Sequence, residues 1–318
     1  MSTHELPAVD PPAPYRSLVV GTDFSPCSAV AVAAALRIAA GSDATLRAVH
    51  VIDTRVVVDF ESALSDFQRT VREHLTDAAK AAWKGFAASV PGAAGIPIEF
   101  ELNNRIAGVL GLVHEARADL LVLGAFGDRR PDVGFGTLAT ACVRKAGADV
   151  LLVRDTQQGP FRTVVVGVDF SETSLRALHR AARFAASEGA ELHALHVLDA
   201  PWRHLPYLAP ESMTPFAMEK AYREAIERQL AEFIRPVTAA NPGLKLRAVC
   251  DDPGTHRVGI AGYASRVGAD LVALGTRGRT NLRDVLLGST AERVLAESRC
   301  SVLAIKPAGF RHPLADGG

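Results

Sequence analysis

Glycines, hydroxyls and arginines near the end of the chain have the spacing of a phosphate-binding loop. The pattern is G-x-x-G, then nine further residues, then G-S-T at the predicted start of a helix. Glycines let the backbone approach a ligand without Cβ clashes, and backbone N–H groups at a helix start bind anions. Hydroxyl donors and adjacent positive charge add to this anion site. Two glycine pairs with an intervening arm fit a polyphosphate better than a single carboxylate. The residues concerned are Gly275, Arg277, Gly278, Arg279, Gly288, Ser289 and Thr290. A glycine-rich turn with solvated arginines is the alternative, and the complete spacing at a strand end argues against it.

An aspartate follows the first strand of each half of the chain. Asp23 and Asp169 both stand in the sequence G-x-D-F-S, between a predicted strand and a predicted helix. A carboxylate there can accept hydrogen bonds from a ligand. It can equally be a negative charge that favours the positive end of the helix dipole. Position alone leaves both readings open.

Other chemical signatures carry little weight. The chain has no G-x-x-x-x-G-K-[ST] sequence, no H-x-x-x-H and no C-x-x-C pair. The letters of a dinucleotide fingerprint at 134–139 lie about ten residues past their strand and are discounted. Cys27 lies near a helix start, where a thiolate would be stabilised, but the repeat has Thr173 there, so a shared catalytic role is not expected. His50 and His196 are interpreted as core or rim histidines.

The elements that must position these residues occur twice. Residues 18–53 match residues 164–199 at an offset of 146, with 18 of 36 pairs identical. Each copy alternates strand and helix, which predicts an α/β fold of two tandem doubly wound parallel-sheet domains. Ligands in such sheets bind at the carboxyl ends of the strands. The predicted domains are 17–155 and 162–307, joined by a linker at 157–160.

Several local expectations follow from the same pattern. A long helix is predicted near 61–90 in the first copy and at 211–239 in the second. The last strands, 150–153 and 301–305, would be sheet edges, which invite pairing. The tails, 1–16 and 308–318, are expected to be loose.

Composition narrows the function further. Lys plus Arg and Asp plus Glu are both 35, so the net charge is zero, which argues against a general nucleic-acid binder. No apolar run approaches the length of a membrane span, and the N-terminus does not read as a signal peptide. Four cysteines without pair spacing suggest reduced thiols, and we expect a cytoplasmic protein without a membrane or nucleic-acid partner.

These residues resemble the universal stress protein family in its tandem two-domain form, on the adenine nucleotide alpha hydrolase-like fold. The element G-x-x-G-x9-G-[ST] marks the ATP-binding branch of that family, and the second copy has it without a gap. The resemblance implies ATP, accompanied by magnesium, at the strand ends. It implies that Asp169 contacts the adenine or ribose edge, that Val197 packs on adenine and that Leu274 lines the base. Gly275 and Gly278 would approach the ribose and phosphates, and Gly288, Ser289 and Thr290 would hold the phosphate tail.

The first copy departs from this pattern. It keeps Asp23, Val51, Gly124 and Gly127, but only eight residues separate Gly127 from the later glycine of the motif. The residues that close its motif are Gly136 and Thr137. A one-residue deletion would displace the helix start from the base pocket, so we expect weaker or no ATP binding in the first domain.

These observations leave three alternative functions for the protein. The first is a nucleotide-responsive stress regulator without an enzymatic role, in which ATP orders the arm from Gly275 to Gly288. The second is a slow ATPase or nucleotide-dependent phosphotransferase, for which Asp284 is the only acid in the arm. The third is a nucleotide-free scaffold. The resemblance also makes a homodimer with an internal pseudo-two-fold the expected assembly.

Overall fold

The computed structural model describes residues 10–63, 68–127, 133–199, 216–252, 259–278 and 287–310. In the first half, strands alternate with helices as the apolar pattern predicts. The strands are β1 (Ser17–Gly21), β2 (Thr45–Asp53), β3 (Ile98–Asn103), β4 (Leu120–Gly124) and β5 (Asp149–Val153). The helices are α1 (Pro26–Ser42), α2 (Thr54–Ala63), α3 (Gln68–Ser89), α4 (Arg105–Glu115) and α5 (Thr137–Lys145).

The second half repeats this order. Its strands are β6 (Thr163–Gly167), β7 (Glu191–Val197), β8 (Leu246–Asp251), β9 (Leu271–Gly275) and β10 (Ser301–Ile305). Its helices are α6 (Glu172–Glu188), α7 (Phe216–Ala240), α8 (Ile260–Arg266) and α9 (Ser289–Glu297). The bounds of α9 and β10 agree with the apolar pattern to the residue, whereas the expected helix at 211–239 begins in residues outside the described ranges.

One ten-stranded sheet runs through both halves, in the order β3-β2-β1-β4-β5-β10-β9-β6-β7-β8. Within each half the neighbouring strands are parallel. At the centre β5 and β10 are antiparallel, with Leu151 opposite Leu303. The predicted α/β fold and the predicted pairing of the two last strands are therefore both present, and the pairing gives the chain an internal pseudo-two-fold.

Both faces of the central part of the sheet are covered, because alternate residues of the central strands belong to different cores. Val164 and Val166 pack with residues of α1, α3, α6 and α7. Val165 packs on the opposite face with residues of α4, α5, α8 and α9. Strands buried on both faces read as continuous apolar runs, as these do.

The long helix expected near 61–90 is α3, Gln68–Ser89, and a second helix that was not expected, α2, lies directly after β2. One local expectation is wrong. The N-terminal segment is not loose throughout, since Tyr15 is buried and its hydroxyl donates to Asp149 Oδ2 at 2.9 Å. Hydropathy along the chain could not reveal this contact, because its partner lies 134 residues away.

A buried ionic cluster joins the halves at this point. Arg180 Nε of α6 donates to Asp149 Oδ2 at 3.1 Å, and the two side chains are 7% and 2% exposed. The backbone N–H of Lys306 donates to Asp149 Oδ1 at 2.8 Å, and a second nitrogen of Arg180 donates to the carbonyl of Ala13. The carboxylate that begins β5 is thus bonded by the N-terminal segment and by the second half.

Candidate functional site

The Asp-Phe-Ser turn after β6 fixes one carboxylate oxygen and leaves the other available. Oδ1 of Asp169 accepts hydrogen bonds from the Ser171 backbone N–H at 3.0 Å and from its hydroxyl. Ser171 in turn caps α6, since its hydroxyl oxygen accepts from the Ser174 N–H. Oδ2 of Asp169 has no hydrogen-bond partner among the described residues. The carboxylate is therefore held by its own turn and can still accept a bond from a ligand.

The same turn follows β1. Oδ1 of Asp23 accepts from the Ser25 N–H at 3.1 Å, and Ser25 caps α1. Between these two residues, Phe24 has φ 64°, and Phe170 of the second copy has φ 63°. A bulky residue rarely adopts this left-handed conformation. Sequence reasoning missed the feature, although the repeated phenylalanine was a signal for it.

The rings of these phenylalanines pack on the repeated histidines. Phe24 stacks on His50 with ring centroids 4.2 Å apart, and Phe170 lies 4.6 Å from His196. His50 Nδ1 lies 2.9 Å from the carbonyl oxygen of Thr22, which can only accept, so that nitrogen carries the proton. Burial lowers the pKa of His50. The interpretation of His50 and His196 as core or rim residues is confirmed.

The second glycine of each motif lies against the aspartate. A Cβ added at Gly278 would be 2.9 Å from Asp169 Oδ2, and one added at Gly127 would be 2.7 Å from Asp23 Oδ2. No side chain fits at either position while the carboxylate keeps its place. The structure thus brings together the strand-end aspartate and the glycine motif, which are far apart in the sequence.

The arm of each motif is closed by the same hydrogen bond in both copies. The Gly288 N–H donates to the Thr276 carbonyl at 3.0 Å, and the Gly136 N–H donates to the Ala125 carbonyl at 2.8 Å. Each glycine is extended, and each precedes a helix of nine residues. The expected displacement of the helix start in the first copy is therefore wrong, because the deletion shortens the arm and leaves its two ends in place.

The start of α9 offers exposed donors. Ser289 and Thr290 are both exposed, and so is Thr137 at the start of α5. A Cβ added at Gly288 would find its nearest neighbour, the Thr276 carbonyl oxygen, at 3.5 Å, which is an ordinary contact. The protein itself therefore leaves room for a side chain at Gly288.

The first glycine of each motif packs on the helix that follows the first strand. A Cβ added at Gly275 would lie 2.7 Å from the Thr173 methyl group, and one at Gly124 would lie 3.2 Å from Cys27 Sγ. Cys27 is buried, and burial raises the pKa of its thiol. The expected stabilisation of a Cys27 thiolate is therefore wrong, because desolvation outweighs the backbone hydrogen bonds of Phe126 and Ala125, which lower the pKa.

The apolar candidates share one face of the sheet. Val197 is half-buried and packs against the same core cluster as Leu274. Leu274 is only 3% exposed, so its side chain is mainly part of that core. Val51 has the corresponding half-buried position in the first copy.

Of the two candidate arginines, Arg277 lies within the described residues and Arg279 does not. The guanidinium carbon of Arg277 lies 5.2 Å from the ring centroid of Phe310. Arg279 lies outside the described residues, together with the rest of the arm up to residue 286. The structure therefore places Arg277 in contact with the segment after β10.

The described residues contain no group of three His, Cys, Asp or Glu side chains arranged to hold a metal ion. No helix within the described ranges combines the length and the apolar character that crossing a membrane requires.

Each half is a parallel α/β unit with an aspartate and a glycine motif at its strand ends. This combination defines the class of protein. The family described as Universal stress protein matches residues 14–154 and again residues 160–306. The chain belongs to the universal stress protein family and contains two tandem regions of it.

Individual relatives agree with this assignment. Universal stress protein Rv2623 of Mycobacterium tuberculosis is 28% identical over 308 residues, which cover 91% of this chain and 96% of the relative. Universal stress protein MJ0531 of Methanocaldococcus jannaschii is 30% identical over 149 residues, 46% of this chain and 82% of the relative. Among solved structures, PA1789 of Pseudomonas aeruginosa, titled functionally unknown, has a TM-score of 0.59 at 20% identity, covering 92% of this chain and 93% of its own. That likeness shows the fold alone.

Proposed function

We propose that the second domain binds ATP and that the protein is a nucleotide-responsive regulator of a stress response. The observation that carries the proposal is the position of Asp169. One of its oxygens is held by Ser171, and the other faces Gly278 without a hydrogen-bond partner among the described residues. A fixed acceptor beside a glycine suits the polar edge of a base or ribose.

The fit of a triphosphate rests on the other end of the motif. The Gly288 backbone is closed onto Thr276, and Ser289 and Thr290 are exposed at the start of α9. Backbone N–H groups and hydroxyls at a helix start suit a phosphate. These residues would hold the phosphate tail of ATP, and Asp169 and Val197 would hold its adenosine part.

Magnesium would enter with the nucleotide. Because the described residues supply no three-ligand cluster, phosphate oxygens and water would provide most of its ligands, as is usual for this ion. The regulatory role would not need hydrolysis. We further propose a cytoplasmic homodimer, which would use a surface other than β5 and β10, since these strands pair within the chain.

Bound nucleotide tests the proposal directly. The protein is purified without added ligand and denatured, and released nucleotide is identified and quantified by chromatography. Asp169→Asn is the informative variant, because asparagine keeps one oxygen for Ser171 while its amide removes the second acceptor. Asp23→Asn makes the same change in the first domain and is the matched control.

We expect adenine nucleotide from the unmodified protein and from Asp23→Asn, and little from Asp169→Asn. ADP recovered after incubation with ATP would favour the slow ATPase instead. No released nucleotide, followed by no binding on titration with ATP, would contradict the proposal and leave the scaffold.

A further inference from the structure

The segment after β10 turns back onto the glycine motif of the second domain. Its turn is closed by the Phe310 N–H, which donates to the Pro307 carbonyl at 3.3 Å, with Gly309 at φ 67°. The Phe310 ring then lies 5.2 Å from the Arg277 guanidinium carbon and 4.6 Å from Lys306 Nζ. Both distances are within the range of cation–π contacts.

The base of this segment is fixed. Lys306 is 3% exposed, its N–H donates to Asp149, and its carbonyl accepts from Arg176 Nε at 2.9 Å. Its ammonium group donates to the carbonyl of Val143 at the end of α5. Phe310 therefore extends from a buried anchor that is four residues before it in the chain.

In the first domain, other residues occupy the corresponding positions. By the repeat, Phe126 corresponds to Arg277, and Arg154 corresponds to Lys306. The Arg154 guanidinium carbon lies 5.7 Å from the Phe126 ring and 5.6 Å from the Phe135 ring. In the first domain both aromatic rings belong to the segment between β4 and α5. In the second domain the ring comes from the C-terminal segment and contacts a cation of the motif.

The backbone of Arg277 lies at the phosphate end of the proposed site. Its Cα is 3.9 Å from the position that a Cβ on Gly288 would occupy. An arginine at this place can serve a phosphate held by Gly288, Ser289 and Thr290. Its guanidinium nevertheless lies over the Phe310 ring.

We propose that Phe310 restrains Arg277, and that the segment 307–310 thereby lowers the affinity of the second domain for ATP. This inference rests on the proposed function. Charge-assisted bonds to phosphate are stronger than a cation–π contact between two half-buried residues, so ATP draws Arg277 away from the ring at the cost of that contact. By linkage, bound ATP loosens the segment to the same extent.

Calorimetric titration of the full-length protein with ATP, and separately with adenosine, tests the inference. Phe310→Ala should tighten ATP binding by about two- to fivefold, the lower end of the range for cation–π contacts, and should leave adenosine binding unchanged. Phe310→Tyr keeps the aromatic face and should behave as the unmodified protein. In an Arg277→Gln background the effect of Phe310→Ala should disappear.

The outcomes separate this inference from the proposed function. If the unmodified protein binds ATP and Phe310→Ala binds it equally or more weakly, the restraint is refuted and the ATP site stands. The same gain in the Arg277→Gln background would also refute it, because the effect would not pass through Arg277. If neither the unmodified protein nor any variant binds ATP, the proposed function fails together with the inference.

Discussion

The carboxylate of Asp169 occupies the space that a side chain at position 278 would need. A Cβ on Gly278 would lie 2.9 Å from Oδ2, and the first domain repeats the relation between Asp23 and Gly127 at 2.7 Å. The second glycine of the motif is thus required by the protein's own aspartate, whatever ligand binds there. The glycine that closes the arm, Gly288, has no such constraint.

This difference predicts two distinct phenotypes. Gly278→Ala should push the Asp169 carboxylate away and weaken its bonds to Ser171, lowering the free energy of unfolding by about 1 kcal/mol, the value of a typical hydrogen bond. Gly288→Ala should change it by less. Urea unfolding of both variants measures this, and equal losses would contradict the steric argument.

Removal of Arg180 should strongly destabilise the fold. Arg180→Met leaves the Asp149 carboxylate without its charged side-chain partner in a site that is 2% exposed. Breaking a buried pair in this way costs about 3–5 kcal/mol. Arg183→Met, on the exposed side of the same helix, is the control and should cost little. Denaturant unfolding checks both, and a small loss in Arg180→Met would show that the cluster contributes little to stability.

Lys306 should make stability depend on pH in the alkaline range. Burial lowers the pKa of Lys306 from 10.5 to about 8. Between these values the unfolded chain binds more protons than the folded one, so the free energy of unfolding should rise with pH. Lys306→Met removes this contribution. The difference between the two unfolding profiles should therefore rise from pH 8 to pH 10.5, and a flat difference would contradict the assignment.

Cys27 should react slowly with alkylating reagents in the folded protein. Its thiol is 2% exposed and burial raises its pKa, so little thiolate is present and little of it is accessible. Peptide mapping after alkylation with iodoacetamide, with and without urea, measures this. Fast modification of Cys27 in the folded protein would instead support the thiolate that the helix start predicts.

Local sequence pattern predicted the elements well where apolar periodicity determines them. The strand Ser301–Ile305 and the helix Ser289–Glu297 agree with the pattern, and the repeat predicted one domain from the other. The misses concern contacts that apolar periodicity does not encode. Periodicity could not show that Tyr15 reaches Asp149, nor that Gly136 keeps its bond to Ala125 despite the shorter arm.

The sequence predicted which residues belong to the candidate site better than it predicted how they are arranged in space. The pairing of Asp169 with Gly278 depends on two strand ends that meet only in the folded sheet. The contact of Arg277 with Phe310 was not foreseen, because the last residues were expected to be loose. Weaker ATP binding in the first domain stays a prediction. Its physical basis is now the shorter arm and Phe126 in place of Arg277, because the helix start is not displaced.

The most direct test is the stoichiometry of ATP binding measured by calorimetry on the unmodified protein, Gly288→Ala and Gly136→Ala. The Cβ of each alanine meets its nearest protein atom at 3.5 Å and 3.4 Å respectively, so both variants should fold. We predict one ATP per chain, lost in Gly288→Ala and kept in Gly136→Ala. Two equivalent sites, or a loss confined to Gly136→Ala, would contradict the assignment of ATP binding to the second domain.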